Sequence, residues 1–235
     1  MFDPSAYDRE QLWEAAHASS GISVHLLAVY SMAVGLNAKK IVDLGIGSTT
    51  KMLRLAAQET GGKVYSCDGN VKRFTYLLDR QEENWSLSLC RSEKFLQEIE
   101  GPIDFVMHDA AHDYHQVKLD LELLLPKMRT FGLICLHDTQ QPDLSHAMLA
   151  AIRDAIQDKP VSLVTLPHAS GLTILRLEQG EHSAVDLSGA RMEDGRPMSE
   201  PVAAPMQFVD REYKRAGSGA GHFLYWRLRK MIKGY

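Results

Sequence analysis

Short β-branched runs alternate with longer stretches of helical period from residue 40 to about residue 178. Strands are predicted at 40–45, 63–68, 86–90, 103–109, 132–138, 161–167 and 171–178, where Val, Ile and Leu dominate. Helices are predicted between them at 48–60, 71–85, 92–100, 114–128 and 145–157. The helical readings rest on spacing. Val117, Leu121, Leu124 and Leu125 follow i, i+4, i+7, i+8, as do Met148, Ile152, Ala155 and Ile156. Gly61-Gly62 closes the first of these helices.

Strands that alternate with helices imply right-handed crossovers and a parallel sheet covered on both faces. The last two strands lie close enough to pair as an antiparallel hairpin, which adds one reversed strand at the end. The expected fold is α/β, doubly wound and mostly parallel, with ligands outside the carboxyl ends of the strands. Residues 1–39 read as a helical flank or lid and 40–179 as the sheet domain. Periodicity then fails, and 180–235 reads as an irregular extension rich in Gly, Pro and charge. It ends in a basic, aromatic helix, "HFLYWRLRKMIKGY".

Composition narrows the class only modestly. A hydrophobic fraction of 45%, a charged fraction of 24% and a formal charge of −4 over 235 residues give no general attraction to nucleic acid or anionic membrane. Cys67, Cys90 and Cys135 are an odd set without paired spacing, in segments read as strands, which fits buried, reduced thiols in a cytoplasmic protein. The first residues lack the basic and apolar regions of a signal peptide. The longest apolar stretch, 22–36, is too short for a membrane span and contains His25 and Ser31.

The chemistry begins at "IVDLGIGSTTK", a strand, an acidic residue, Gly45-x-Gly47 and then a helix. Glycines there let the backbone approach a ligand, which the helix N-terminus faces with free N–H groups. Thr50 occupies the third glycine of a dinucleotide fingerprint and also stands where a P-loop needs glycine before Lys51, so both readings fail. Asp43 beside the turn would repel a pyrophosphate but suits a cationic amino-acid ligand such as S-adenosylmethionine. Asp68, ending the second strand, can accept both hydroxyls of an adenosine ribose; capping the next helix is its structural alternative. Ser92 lies where an adenine edge would fall, or else caps the helix it precedes.

In order and spacing, "IVDLGIGSTT", "VYSCDGN", "IDFVMHDAAHDYHQVKLDLELLLPKM" and "FGLICLHDT" resemble the class I S-adenosylmethionine-dependent methyltransferases, over residues 38–178. The last two segments look most like the small-molecule O-methyltransferase branch that includes macrocin O-methyltransferase and cephalosporin-hydroxylase-like proteins. Phe131-Gly132 and "CRS" depart from the "GG" and "GDS" usual there. The resemblance implies a seven-stranded sheet in which Asp43, Gly45, Gly47 and Asp68 line the cofactor pocket.

Asp109 emerges at the carboxyl end of the fourth strand, and His137 and Asp138 end the fifth. Adjacent parallel strands are about 4.8 Å apart, so Asp109 and Asp138 can converge on one cation. Two carboxylates suit Mg²⁺; His137 as a third ligand would suit a softer metal. The alternative is helix capping or a rim hydrogen-bond network. Such a metal would hold an acceptor hydroxyl and lower its pKa, and related metal-dependent enzymes bind their cation from these strand ends. His112 is the candidate general base, with Asp109 beside it in the catalytic set; a solvated loop histidine or a partner of Asp109 is the competing reading. Asp113 with Gln116 resembles a capping box. His108 alternates away from Asp109 and should pack under the sheet, while His115 should face solvent.

The leading expectation is therefore an S-adenosylmethionine-dependent, Mg²⁺- or other divalent-cation-dependent O-methyltransferase acting on a hydroxylated small molecule. The rivals are a same-fold enzyme with other chemistry and a non-catalytic cofactor-binding scaffold. The basic tail reads as a helix packed on its own domain or on a partner subunit, as in a homo-oligomer; a lid over the cleft is the next reading, and a membrane-surface helix the other alternative. No nucleic acid partner and no membrane span are expected.

Overall fold

The computed structural model describes residues 21–70 and 83–178. The start of the predicted flank, most of the helix expected at 71–85 and the extension from 180 lie outside the described residues. Seven strands form one sheet: β1 (Lys40–Leu44), β2 (Lys63–Cys67), β3 (Trp85–Ser88), β4 (Ile103–His108), β5 (Met128–His137), β6 (Val161–Leu166) and β7 (Leu172–Leu177). Their spatial order is β3-β2-β1-β4-β5-β7-β6. The first five are parallel, and β7 pairs antiparallel with both β5 and β6. The reversed strand thus sits between β5 and β6 rather than at the sheet edge.

Two core clusters cover the faces, as strand alternation requires. A 3₁₀ turn (Gly21–His25) leads into α1 (Leu26–Gly35), which with α2 (Ser48–Thr60) packs on one face. There Val29, Ala33, Leu53 and Ala56 meet Ile41, Phe105, Met107 and Cys135. On the other face, α3 (Ser92–Glu98), α4 (Tyr114–Leu124) and α5 (Ser145–Ile156) bury Leu96, Leu121 and Ile152 against Val42, Val106 and Ile134. Each such fully buried Leu or Ile contributes about 1.5–3 kcal/mol.

Three boundaries move from the sequence expectation. Trp85 opens β3 instead of closing a helix, and its indole donates to Ser66 Oγ at 3.0 Å. The helix expected to reach residue 128 ends at Leu124, because Pro126 cannot continue it; a 3₁₀ turn (Leu125–Lys127) follows. The fifth strand then begins at Met128, four residues early, with an irregularity in its pairing to β4 and Phe131 at φ +63°. No described helix is long and apolar enough to cross a membrane.

Candidate cofactor cleft and metal centre

Alternation along the strands sorts the polar residues at the carboxyl ends. On β4, Phe105 and Met107 face α1 and α2, Val106 and His108 face α4, and Asp109 follows on the α1 side. The β4–β5 register pairs His108 with Leu136, so the next pair is Asp109 beside His137. The strand ends therefore carry two groups of polar side chains, one above β2 and β3 and one above β4 and β5.

The first group walls a cleft of about 370 Å³, within the usual range for small-ligand sites. Gly45, Asp68, Asn70, Ser92, Ala111 and Gln116 contribute to it. Asp68 is buried and braces the glycine turn: one oxygen accepts from Ile46 N–H at 3.1 Å, the other from Asn70 N–H at 2.6 Å. Ser92 is the first residue of α3, which has no side-chain cap; its hydroxyl accepts from Gln116 Nε2 at 3.2 Å. The capping alternative for Ser92 is therefore not realised.

Asp43 is placed beneath the turn and is fully buried, on the face shared with Ile41. One oxygen accepts from Thr50 Oγ at 2.7 Å and Ser66 Oγ at 2.8 Å, and Thr50 Oγ accepts from Gly47 N–H at 3.0 Å. The other oxygen is buried without a partner. Burial, only partly offset by the two hydroxyls, raises its pKa to about 7.

The two glycines differ. Gly45 has φ +93°, and a Cβ there would lie 2.2 Å from the carbonyl oxygen of Asp109. Its lack of a side chain serves the neighbouring strand end as much as any ligand. A Cβ on Gly47 would meet nothing within 4 Å, and its φ of −167° is open to any residue.

The second group is Asp109, His112, His137 and Asp138. One ligand atom from each of Asp109, His137 and Asp138 falls within 4.8 Å of the others. His137 Nδ1 lies 3.4 Å from Asp109 and 3.2 Å from Asp138, yet neither of its nitrogens has an aligned hydrogen-bond partner although both are buried. That donor set, with two orphaned nitrogens, fits a divalent cation. Burial opposes charging of His137, but the two carboxylates outweigh it and push its pKa up to about 9. Asp109 responds in kind: burial raises its pKa, and His112 and His137 together bring it down to about 2. Asp138 holds the left-handed conformation, φ +61°, which turns its carboxylate back to the cluster. His112 Nε2 lies 3.3 Å from Asp138 and 3.7 Å from Asp109.

Of the remaining expectations, Asp113 caps α4 by accepting from Gln116 N–H at 3.0 Å, and His115 is exposed. His108 is fully buried under the sheet, where its Nε2 meets Asp120 at 3.0 Å. Cys67 and Cys135 are buried in strands, but Cys90 lies past the end of β3, half-buried on the cleft wall. Sequence reasoning missed Gln116 as a wall residue and Asp120 altogether. The available signal was a polar pair at i, i+4, Gln116 and Asp120, directly beside the apolar pair Val117 and Leu121 on the inward face of α4.

Residues 42–139 match the family model described as a methyltransferase domain. A search of curated proteins finds no match. Among solved structures, a candidate caffeoyl-CoA O-methyltransferase from Staphylococcus aureus is similar at 14% identity and a TM-score of 0.57, covering 73% of this chain and 99% of that one. The S-adenosylhomocysteine-bound methyltransferase PaMTH1 from Podospora anserina is similar at 15% identity and a TM-score of 0.54, covering 76% and 97%. An O-methyltransferase from Bacillus cereus, also with S-adenosylhomocysteine, gives 18%, 0.53, 76% and 93%. The segment matched by the methyltransferase model runs from β1 to just past β5, and the fold is the one shared by these structures of S-adenosylmethionine-dependent methyltransferases.

Proposed function

We propose that this methyltransferase acts on oxygen, transferring a methyl group to a hydroxylated small molecule with the help of a divalent cation. The observation that carries the reading is the convergence of Asp109, His137 and Asp138 one strand away from the glycine turn. The cofactor would lie in the cleft over β2 and β3, with its ribose on Asp68 and its base toward Ser92. Gly45 and the cluster above β4 and β5 would then lie on the side of the reacting end.

Asp109, His137 and Asp138 would hold the cation, Mg²⁺ or, given the imidazole, a softer ion such as Mn²⁺. S-adenosylmethionine supplies an electrophilic methyl group, and a bound cation lowers the pKa of an acceptor hydroxyl. His112 is the chain's own proton acceptor: its Nε2 is buried without a hydrogen-bond partner. The carboxylates of Asp109 and Asp138 beside it stabilise the imidazolium that forms. What remains for the protein is alignment of the acceptor with the methyl carbon.

The test is transfer of labelled methyl from S-adenosylmethionine to a panel of catechols, phenols and sugars, with Mg²⁺, Mn²⁺ or a chelator. The reading expects labelled product that needs the cation and is lost in Asp138→Ala, while affinity for S-adenosylhomocysteine survives. Product formation indifferent to the chelator and to Asp138→Ala would remove the metal from the reaction. Label found on nitrogen rather than oxygen would change the reaction class.

A further inference from the structure

Beneath the cleft wall lies a chain of polar groups that the proposed chemistry does not use. His108 and Asp120 are both fully enclosed between β4 and α4. A buried pair of this kind gives no net stability advantage over well-packed apolar residues. Its outlet is the amide of Gln116, one turn earlier on α4: Gln116 Nε2 donates to Asp120 Oδ1 at 2.8 Å. The same nitrogen donates its second hydrogen to Ser92 Oγ at 3.2 Å, and Gln116 Oε1 accepts from Arg91 at 3.0 Å.

These contacts fix the direction of every hydrogen bond in the chain. A carboxylate accepts and a guanidinium donates, so the amide can face them in one orientation only. Arg91 is mostly exposed, which leaves enclosed Asp120 as the anchor. With Gln116 donating to it, the Ser92 hydroxyl must aim its own hydrogen elsewhere. That bond from Gln116 is the hydroxyl's single hydrogen bond among the described residues, and Ser92 lines the cleft.

We propose that Asp120, held by His108, is a positioning residue that works through Gln116 to present the Ser92 hydroxyl as a donor into the cleft, selecting a base with an acceptor ring nitrogen at that edge. The inference rests on the reading of the cleft as the cofactor site: a ribose on Asp68, above β2, carries its base outward to β3 and Ser92. Adenine satisfies the donor. Hypoxanthine carries a ring N–H in place of that acceptor, which sets donor against donor at the ring position.

The experiment is calorimetric titration of the full chain with S-adenosylhomocysteine and with S-inosylhomocysteine. Wild type should prefer the adenine ligand by about tenfold or more, the consequence of leaving a polar group unpaired in a half-open site. In Asp120→Asn, the new amide gives its oxygen to His108 and turns an N–H toward Gln116. Gln116 then reverses, Ser92 donates to it, and the cleft is offered an acceptor. The preference should fall toward unity or invert. Gln116→Met, at a half-buried position, frees the hydroxyl to rotate and should erase the preference even where Asp120→Asn fails to fold. Ser92→Ala should erase it too, with S-adenosylhomocysteine still bound within about tenfold of wild type. An unchanged preference in Gln116→Met or in folded Asp120→Asn overturns the relay but leaves the cofactor site standing. Absence of binding by either ligand to wild type overturns the cofactor reading itself.

Discussion

Replacing Asp43 by Asn should change how stability depends on pH, and the sign follows from burial. Burial raises the Asp43 pKa from 3.8 to about 7. At about 1.4 kcal/mol per unit, ionising it in the folded state costs roughly 4 kcal/mol. A group whose folded pKa is raised contributes stability that is fully present below its unfolded pKa and lost as pH rises through the folded one. The wild type should therefore lose roughly 4 kcal/mol between about pH 4 and pH 8 relative to a variant that cannot ionise. In Asp43→Asn the amide oxygen can keep the bonds from Thr50 and Ser66, while the NH₂ falls where the carboxylate oxygen has no partner. That orphaned donor costs about 1–3 kcal/mol at every pH. By pH 4.5 the wild type has already lost about 1 kcal/mol of this, so the variant should be less stable than wild type by up to about 2 kcal/mol there and more stable by about 1–3 kcal/mol near pH 8. Thermal melts of the two proteins across this range would read the crossing, at about 2–4 °C per kcal/mol for a chain of this size. Subtracting the two curves cancels the other titrating groups. Parallel curves from pH 4.5 to 8 would refute the argument and mean that Asp43 is solvated or paired.

Three further outcomes are expected. Gly45→Ala should cost roughly 3 kcal/mol, since its Cβ would lie 2.2 Å from the Asp109 carbonyl at φ +93°, whereas Gly47→Ala, with open space and φ −167°, should stay within about 1 kcal/mol in urea unfolding. Asp68→Ala removes the acceptor for Ile46 and Asn70 N–H groups and should weaken S-adenosylhomocysteine binding by about tenfold or more. Binding of Mn²⁺ near pH 7.5 should release about one proton, because His137 is held protonated up to about 9. Calorimetric heats that do not vary with the buffer's ionisation enthalpy would place the ion away from His137.

The fold was legible because its signals are local and repeated. Apolar spacing in α4 and α5 and the β-branched runs between them suffice to place the sheet and its covered faces. Boundaries failed where a single residue overrides period: Pro126 cuts α4 short, and left-handed Phe131 lets β5 start early and still recover its pairing. At the site, Asp109, His137 and Asp138 could be found because each stands at the end of a predicted strand. The role of Asp43 could not be read this way. Nothing in "IVDLG" says whether a carboxylate at a strand end looks outward to a ligand or inward to Thr50 and Ser66; that depends on which face carries α2. Asp120 escaped for a similar reason, since its partner His108 is twelve residues away and across the sheet–helix interface.

The glycine turn also couples two regions that the sequence presents as separate motifs. Leu44 C=O accepts from Asp109 N–H at 2.8 Å, and Gly45 then turns with the Asp109 carbonyl pressed against the space a side chain would fill. On its other flank the turn is held by Asp68, through Ile46 N–H, and from below by Asp43, through Thr50 and Gly47 N–H. A displacement of the turn would therefore move Asp68 and Asp109, the carboxylates proposed to meet the ribose and the cation, together. Methyl transfer needs the donor carbon and the acceptor oxygen in line, and misplacement on the order of 1 Å can cost about a hundredfold in rate. Under the proposed reaction, the close approach of Gly45 to the Asp109 backbone would keep those two halves in register.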